Sequence, residues 1–402
     1  MATGLSMRLP ELLSPAGNLE KLKIAFNYGA DAVFVGGPVF GLRKYAENFS
    51  LTELTEGVAY AHARGKLVYV VLNGFAHQSD IPAIIPHLHE LEAIGVDGFI
   101  ISDMGVLQLA KTYTQVPLHV STQASVTNKY GVQFWKEAGA KRVILAREVS
   151  LSECREMLEY VDIELEIFVH GAMCASYSGK CLISNYMSGR DSNRGGCIQS
   201  CRHEYQISDL SGQSLYSAYV MNAKDLNGIH LLPEMCESGI ASLKIEGRMK
   251  SNLYVANATR SYRRALDQLG HSNAFLQRGY EDLERVSNRQ FSVGGLQGVM
   301  GQDTINTTFG HYEQSIGYAG TVYAIDDSWI YVAVKSPFSV QDSVYVMPQT
   351  GEDDISLDVS GMERFSGERL SEVSPNMTVR FPVVSGVQVL DVIYKSLTPV
   401  SA

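Results

Sequence analysis

The 402-residue sequence predicts an α/β protein: a (β/α)8, TIM-like barrel with a cysteine-rich insertion after strand seven and a small β-rich, barrel-like C-terminal domain. Three observations predict it. Short β-branched or aliphatic runs alternate with helical stretches from residue 10 to about 250, as in a parallel sheet with helices packed outside it. Eight such runs occupy roughly 240 residues, the usual size of a closed eight-stranded barrel. Beyond about residue 290 the helical period gives way to strand-like segments. A doubly wound open sheet is the competing arrangement, because a strand count from one sequence carries an error of one or two.

The eight runs are Glu11-Leu-Leu-Ser, Ala32-Val-Phe-Val, Lys66-Leu-Val-Tyr-Val-Val-Leu, Gly98-Phe-Ile-Ile-Ser, Pro117-Leu-His-Val-Ser, Arg142-Val-Ile-Leu-Ala, Glu164-Leu-Glu-Ile-Phe-Val-His and Ser242-Leu-Lys-Ile-Glu. Helices are expected between them, for example over Leu19 to Tyr28, Leu51 to Arg64 and Val132 to Ala138. Gly29, Gly65, Gly95 and Gly139 sit where a helix C-terminus calls for a left-handed residue. The seventh run ends near His170 and the eighth begins near Ser242, so about 70 residues follow the C-terminal end of a barrel strand, the face that carries active sites. The expected first unit is 1–290, with the insertion at 171–240 and a basic helix at 251–269; the second is 300–402. In the second, Ile316 to Ile325 and Trp329 to Val334 flank the turn Asp326-Asp327-Ser328, followed by strands at Ser343 to Val346, Met377 to Val384 and Val387 to Ile393. Glu352-Asp353-Asp354 reads as a solvated loop.

Composition bounds the function. Hydrophobic residues at 45% and charged residues at 19% describe an ordinary globular chain. The first twenty residues lack the basic start and apolar run of a signal peptide, and nothing resembles a membrane span, so a cytoplasmic protein with no membrane partner is expected. A net charge of −10 disfavours nucleic acid. That average conceals a split: residues 301–402 hold thirteen Asp/Glu against five Lys/Arg, which leaves the front three quarters nearly neutral.

Six cysteines, at 154, 174, 181, 197, 201 and 236, gather mostly in or beside the insertion. In a reducing compartment such clustering favours metal or redox chemistry over disulfides. Paired zinc knuckles are absent: Cys197 and Cys201 are separated by three residues and have no matching second pair. Irregular single cysteines suit a site assembled by tertiary folding, such as a four-thiolate iron–sulfur cluster. The alternative is that they are buried small apolar residues.

Several motifs carry a resemblance. They are Glu166-Ile-Phe-Val-His170-Gly-Ala-Met-Cys174, Ser178-Gly-Lys-Cys181-Leu-Ile-Ser, Asn193-Arg-Gly-Gly-Cys197-Ile-Gln-Ser-Cys201-Arg, Asn222-Ala-Lys-Asp225-Leu and Lys244-Ile-Glu-Gly-Arg248-Met-Lys250-Ser. Glu11-Leu-Leu-Ser-Pro-Ala-Gly17 and Gly29-Ala-Asp-Ala-Val-Phe-Val-Gly36 precede them. Over about residues 1–300 the chain resembles the collagenase-like U-type peptidase family, number thirty-two. The resemblance implies oxygen-independent hydroxylation supported by a 4Fe-4S cluster rather than proteolysis, acting on a tRNA wobble uridine with prephenate, on a cytidine of large-subunit rRNA, or on the ubiquinone ring. By motif position it assigns the cluster to Cys174, Cys181, Cys197 and Cys236, leaving Cys201 as a spare thiol and Cys154 on a helix. A barrel plus a tail of about 100 residues looks most like the tRNA branch. That implies tRNA as partner, prephenate as co-substrate, and electron-donor or cluster-donor proteins as candidate partners. His203 departs from the family, which often has Trp there.

Further candidates come from position and chemistry. His170, at a strand end, is an acid or base near neutral pH, or else orients the cysteine loop. Arg248 follows the last strand and suits a carboxylate or phosphate fork, with a salt bridge to Glu246 as the alternative. Asn73, Gln123 and Asn128 either read a base edge or a carboxylate, or are turn residues. Lys180, Arg190, Arg194, Arg202, Lys250, Arg260, Arg263 and Arg264 form the expected RNA surface, with Tyr177 and Tyr186 available to stack on an unpaired base. A cysteine peptidase built on Cys174 and His170 is the main rival, since no HExxH or GxSxG motif occurs, and a cluster-carrying scaffold is the third reading.

Overall fold

A computed structural model describes residues 9–38, 48–350 and 353–397; the first eight residues and Glu352 of the acidic triplet lie outside it. The chain begins β1 (Glu11–Ala16), α1 (Leu19–Asn27), β2 (Ala32–Gly36), α2 (Leu51–His62), β3 (Leu67–Leu72), α3 (Ile81–Ile94), β4 (Gly98–Ile101) and α4 (Met104–Tyr113). It continues β5 (Leu118–Val120), α5 (Lys129–Ala138), β6 (Arg142–Ile144), α6 (Leu151–Tyr160) and β7 (Glu164–Gly171). The insertion contributes α7 (Ile183–Ser188), the hairpin β8 (Tyr205–Ser208) and β9 (Ser214–Ala218), β10 (Asp225–Asn227) and α8 (Leu232–Glu237). The eighth barrel strand, β11 (Ser242–Ile245), is followed by α9 (Asn252–Asp267), α10 (Ala274–Arg285) and the short β12 (Phe291–Ser292).

β11 pairs in parallel with both β7 and β1, aligning Ser242 with Glu166 and with Glu11, so the sheet closes and the open doubly wound alternative is excluded. Local chemistry sets the helix ends. Ser50 and Glu53 form a reciprocal capping box on α2, and Gly139 ends α5 at φ 105°, where a Cβ would be strained. Asn128, expected as a base reader or a turn residue, is the N-cap of α5, accepts from Gly131 N at 3.0 Å and does not line the barrel cavity.

The N-terminal half of the barrel is plugged by charge. Arg142 reaches Glu11 at 2.6 Å, Glu164 at 2.8 Å and Glu166 at 3.1 Å, and Lys244 meets Glu166 at 2.9 Å. Burial alone would raise the Glu166 pKa, but Lys244 and Arg142 outweigh it and hold the carboxyl below its ordinary range. Removing one member of such a buried set costs about 3–5 kcal/mol, because the rest is left uncompensated. With this end filled, the free space lies at the C-terminal ends of the strands.

The C-terminal part is a six-stranded antiparallel sheet in the order 355–357, 344–347, 392–396, 316–325, 329–334, 378–382, with its own core around Val322, Ile330, Val332, Phe381 and Ile393. The last strand starts later than expected, because Asp391 accepts from Gln388 N at 2.8 Å and closes a turn before it. The sheet docks on α1 and α9: Tyr28 Oη accepts from Val392 N at 3.0 Å, and Tyr318 Oη accepts from Asn252 at 2.9 Å. Asp354 is not a solvated loop residue. It pairs with the buried Arg260 at 2.8 Å and with Arg285 at 3.3 Å. Among the described residues no helix is long and apolar enough to cross a membrane.

Candidate active site

A cavity of about 170 Å³ opens at the C-terminal end of the barrel. Its apolar walls are strand residues: Phe34, Val71, Ile100, Ile144 and Phe168. Asn73, Gln123, Arg147, Lys244, Glu246 and Arg248 supply its polar groups, and Cys174, Cys181, Cys197 and Cys201 close it from the insertion side.

The insertion is folded onto the mouth by specific contacts. Gly171 (φ 99°) and Gly179 (φ 79°) let the chain pass so close to Glu246 and Gln123 that a Cβ would strike their carbonyl oxygens. The Cys181 carbonyl accepts from Ser192 Oγ at 2.6 Å and Asn193 Nδ2 at 2.9 Å, and Ile198 N donates to Ser184 Oγ at 3.3 Å. Burial pushes the Cys201 thiol up, Arg202 pulls it down, and the thiols of Cys174, Cys197 and Cys181 push it up again. Those four thiols are therefore electrostatic neighbours around one cavity.

Cys236 does not join them, and the ligand set drawn from motif position is corrected here. It lies in α8, which packs against the outer helix α6 through Arg155 and Glu234 at 3.0 Å, and its charged neighbours are Arg263 and Glu237. It is 6% exposed in the apolar core, with its thiol pushed up to about 11 by burial. Cys201, expected to be spare, is the fourth thiol that lines the cavity. Cys154 is buried in α6 and likewise raised, to about 12.

Among the described residues no three His, Cys, Asp or Glu side chains converge tightly enough for a single ion. Four cysteines around a shared space match the all-thiolate donor set that an iron–sulfur cluster takes. The donor chemistry thus fits a 4Fe-4S group held by Cys174, Cys181, Cys197 and Cys201.

A family model described as Peptidase family U32 matches residues 17–306. The chain belongs to this family. Within it, the chain is 45% identical over 320 residues to tRNA hydroxylation protein P1 of Bacillus subtilis, covering 77% of this chain and 75% of that one. It is 34% identical over 434 residues to tRNA hydroxylation protein P of Escherichia coli, covering 93% and 94%. The 23S rRNA 5-hydroxycytidine synthase of Escherichia coli is 38% identical over 260 residues, which is 64% of this chain and 39% of that protein.

In this U32 chain the structure corrects the view of His170 as an acid or base. His170 is 1% exposed among the rings of Tyr254, Tyr262 and Phe291 and does not line the cavity. Burial, with Lys250 nearby, pulls its pKa down to about 3. Buried off the cavity that Cys174 lines and with its Nδ1 unpartnered, the ring is not placed as a protease dyad requires. Arg248 does reach the cavity wall and donates to Asn48 Oδ1 at 3.2 Å.

Two cations escaped the sequence reading. Arg147 stacks 4.0 Å above the Phe168 ring, donates to Ser178 Oγ at 2.8 Å, and keeps a buried, unpartnered Nε. Lys244 forms the cavity floor, 4.4 Å from the Phe34 ring. Asn73 donates to Ser121 Oγ at 3.0 Å while its own Oδ1 is buried without a partner.

The expected RNA surface divides. Lys180 and Arg190 are exposed on the insertion beside Tyr177 and Tyr186, the latter 86% exposed. The others serve structure. Arg194 clamps the insertion to Asp80 at 2.7 Å, and Arg202 is bonded inward. Lys250 is half-buried, donating to Ser287 O at 3.0 Å, with its pKa lowered to about 8 by burial. Arg260, Arg263 and Arg264 lie toward the far end of α9. At 1.5 Å per residue, Arg263 is about 16 Å along the helix from its start at the mouth, and it pairs with Asp31 beside the start of β2 at 3.1 Å. These arginines face the C-terminal sheet and the barrel's closed end, because the helix face expected to meet RNA is the docking face.

Proposed function

We propose that the chain hydroxylates the wobble uridine of tRNA to 5-hydroxyuridine without molecular oxygen, with prephenate as co-substrate and a 4Fe-4S cluster on Cys174, Cys181, Cys197 and Cys201. It is an RNA-modifying enzyme. Its relatives' names carry RNA hydroxylation; the choice of cluster and co-substrate rests on one observation, that the four thiols and the cations Arg147, Lys244 and Arg248 face a common cavity. A bound cluster would supply one-electron redox chemistry there.

The chain's own residues account for the rest. Arg147 and Arg248 on the wall offer guanidinium forks to the two carboxylates of prephenate, and Lys244 adds charge from below. Phe34 and Phe168 exclude water and strengthen those contacts. The free Oδ1 of Asn73 accepts from a donor such as the uracil N3–H. Tyr177 at the cavity, with Tyr186, Lys180 and Arg190 exposed on the insertion, offers stacking and charge to an unpaired anticodon loop. A cytoplasmic location and electron-donor or cluster-donor partners belong to the same reading.

Nucleoside mass spectrometry of tRNA from a deletion strain, with and without the restored gene, tests it. Loss of 5-oxyuridine derivatives on deletion is the expected result; unchanged tRNA with altered rRNA or quinone would overturn it.

A further inference from the structure

Arg202 was expected on the RNA surface, yet it is half-buried and both its terminal nitrogens bond within the protein. It donates to Asn222 Oδ1 at 2.9 Å and to the carbonyl oxygens of Ala223 and Met173. Met173 immediately precedes Cys174, and Arg202 itself immediately follows Cys201 on a single 3₁₀ turn, Ser200–Arg202. One side chain therefore ties two of the four cysteine-bearing segments to each other.

The third segment it grips is rigid. Asn222 is fully buried, donates from Nδ2 to Phe309 O at 2.8 Å, and its carbonyl accepts from Asn306 N at 2.8 Å. The other side of the Cys201 turn is held as well. Gln199, which opens it, adopts φ 58°, a left-handed conformation unusual for a side chain with a Cβ. Its Oε1 accepts from Nη2 of Arg289, itself stacked 3.9 Å over the Tyr312 ring.

From this geometry we infer that Arg202 is the positioning residue of the cysteine site: it fixes the Cys174 and Cys201 segments relative to each other, and its charge beside Cys201 stabilises the thiolate assembly. The inference rests on the cluster assignment above. Lysine at 202 would keep the charge, but its single ammonium cannot span three acceptors set in different directions. Outer contacts that orient ligands are worth about 10- to 100-fold in metal affinity.

The test loads the full chain anaerobically with iron and sulfide and follows iron release to a ferrous chelator, together with the midpoint potential. R202K should release iron about tenfold faster than the unaltered chain at a similar potential, while R202Q should show fast release and a lower potential. Q199G, which frees the turn from Arg289 without touching the clasp, should accelerate release about threefold and stands in if R202K does not fold. R155K, on the outer helix α6, should match the unaltered chain. Release rates of R202K and Q199G both within about twofold of the unaltered chain would overturn the inference. An unaltered chain that holds no iron would overturn the cluster assignment instead.

Discussion

Replacing His170 with Phe separates a structural role from a catalytic one and carries a calculable pH signature. The ring is enclosed by Tyr254, Tyr262 and Phe291, and its Nδ1 is buried without a partner, so an apolar ring fits and removes an unsatisfied group. At pH 7 the variant should therefore match the unaltered chain within about 1 kcal/mol. In acid the two diverge. The folded pKa is about 3 against an ordinary 6.5, so between those values the unfolded chain binds the proton and the folded chain does not. Stability is fully present above pH 6.5 and falls as the pH drops toward 3. At pH 5 the loss is about 1.5 units at 1.36 kcal/mol each, or about 2 kcal/mol. H170F should lack it. Buried His119, pulled down to about 3 by burial and by Arg142, contributes a similar loss to both chains and cancels in the comparison. Urea unfolding at pH 7 and pH 5, followed through Trp135 of the barrel, measures the difference. Identical acid sensitivity in both chains would refute the buried-neutral assignment, and lost tRNA hydroxylation in a stable H170F would refute the structural role.

Other consequences are equally direct. Arg248→Lys and Arg147→Ala should each raise the KM for prephenate about tenfold with a smaller change in kcat, read from steady-state kinetics; an unchanged KM would remove these residues from the co-substrate site. Arg260→Ala breaks a buried pair with Asp354 and should cost about 3 kcal/mol, with the Trp329 signal of the C-terminal sheet melting before that of Trp135. Lys244→Met leaves Glu166 with Arg142 alone and should destabilise the barrel by about 3 kcal/mol in urea; a neutral effect would contradict the charged plug. Tyr186→Ala should weaken tRNA binding by about 1–3 kcal/mol in a titration while leaving prephenate binding unchanged.

The barrel was legible because its signal is local. Eight aliphatic runs and the glycines after them report burial and helix ends without reference to distant contacts, and Glu164 to His170 already showed a strand entering the insertion. The insertion's place over the barrel mouth was legible for the same reason. What failed depends on which face meets what. Spacing cannot tell that α8 packs on α6, so Cys236 was taken for a ligand and Cys201 was not. The arginines of α9 read as an RNA surface because the sheet that covers them is some 50 to 140 residues away in sequence. Lys244 and Arg147 were missed although a signal existed. Glu164, Glu166 and Phe168 alternate along β7, and a charged residue inside an otherwise aliphatic strand, as Lys244 is in β11, points into the barrel.

The central claim is that Cys174, Cys181, Cys197 and Cys201 hold a cluster at the barrel mouth while Cys236 and Cys154 do not. Iron and acid-labile sulfide per chain, determined after anaerobic reconstitution of the six single Cys→Ser variants, tests it most directly. Depleted or unstable iron is expected in the first four and full loading in C236S and C154S. Full loading in C201S with loss in C236S would contradict it.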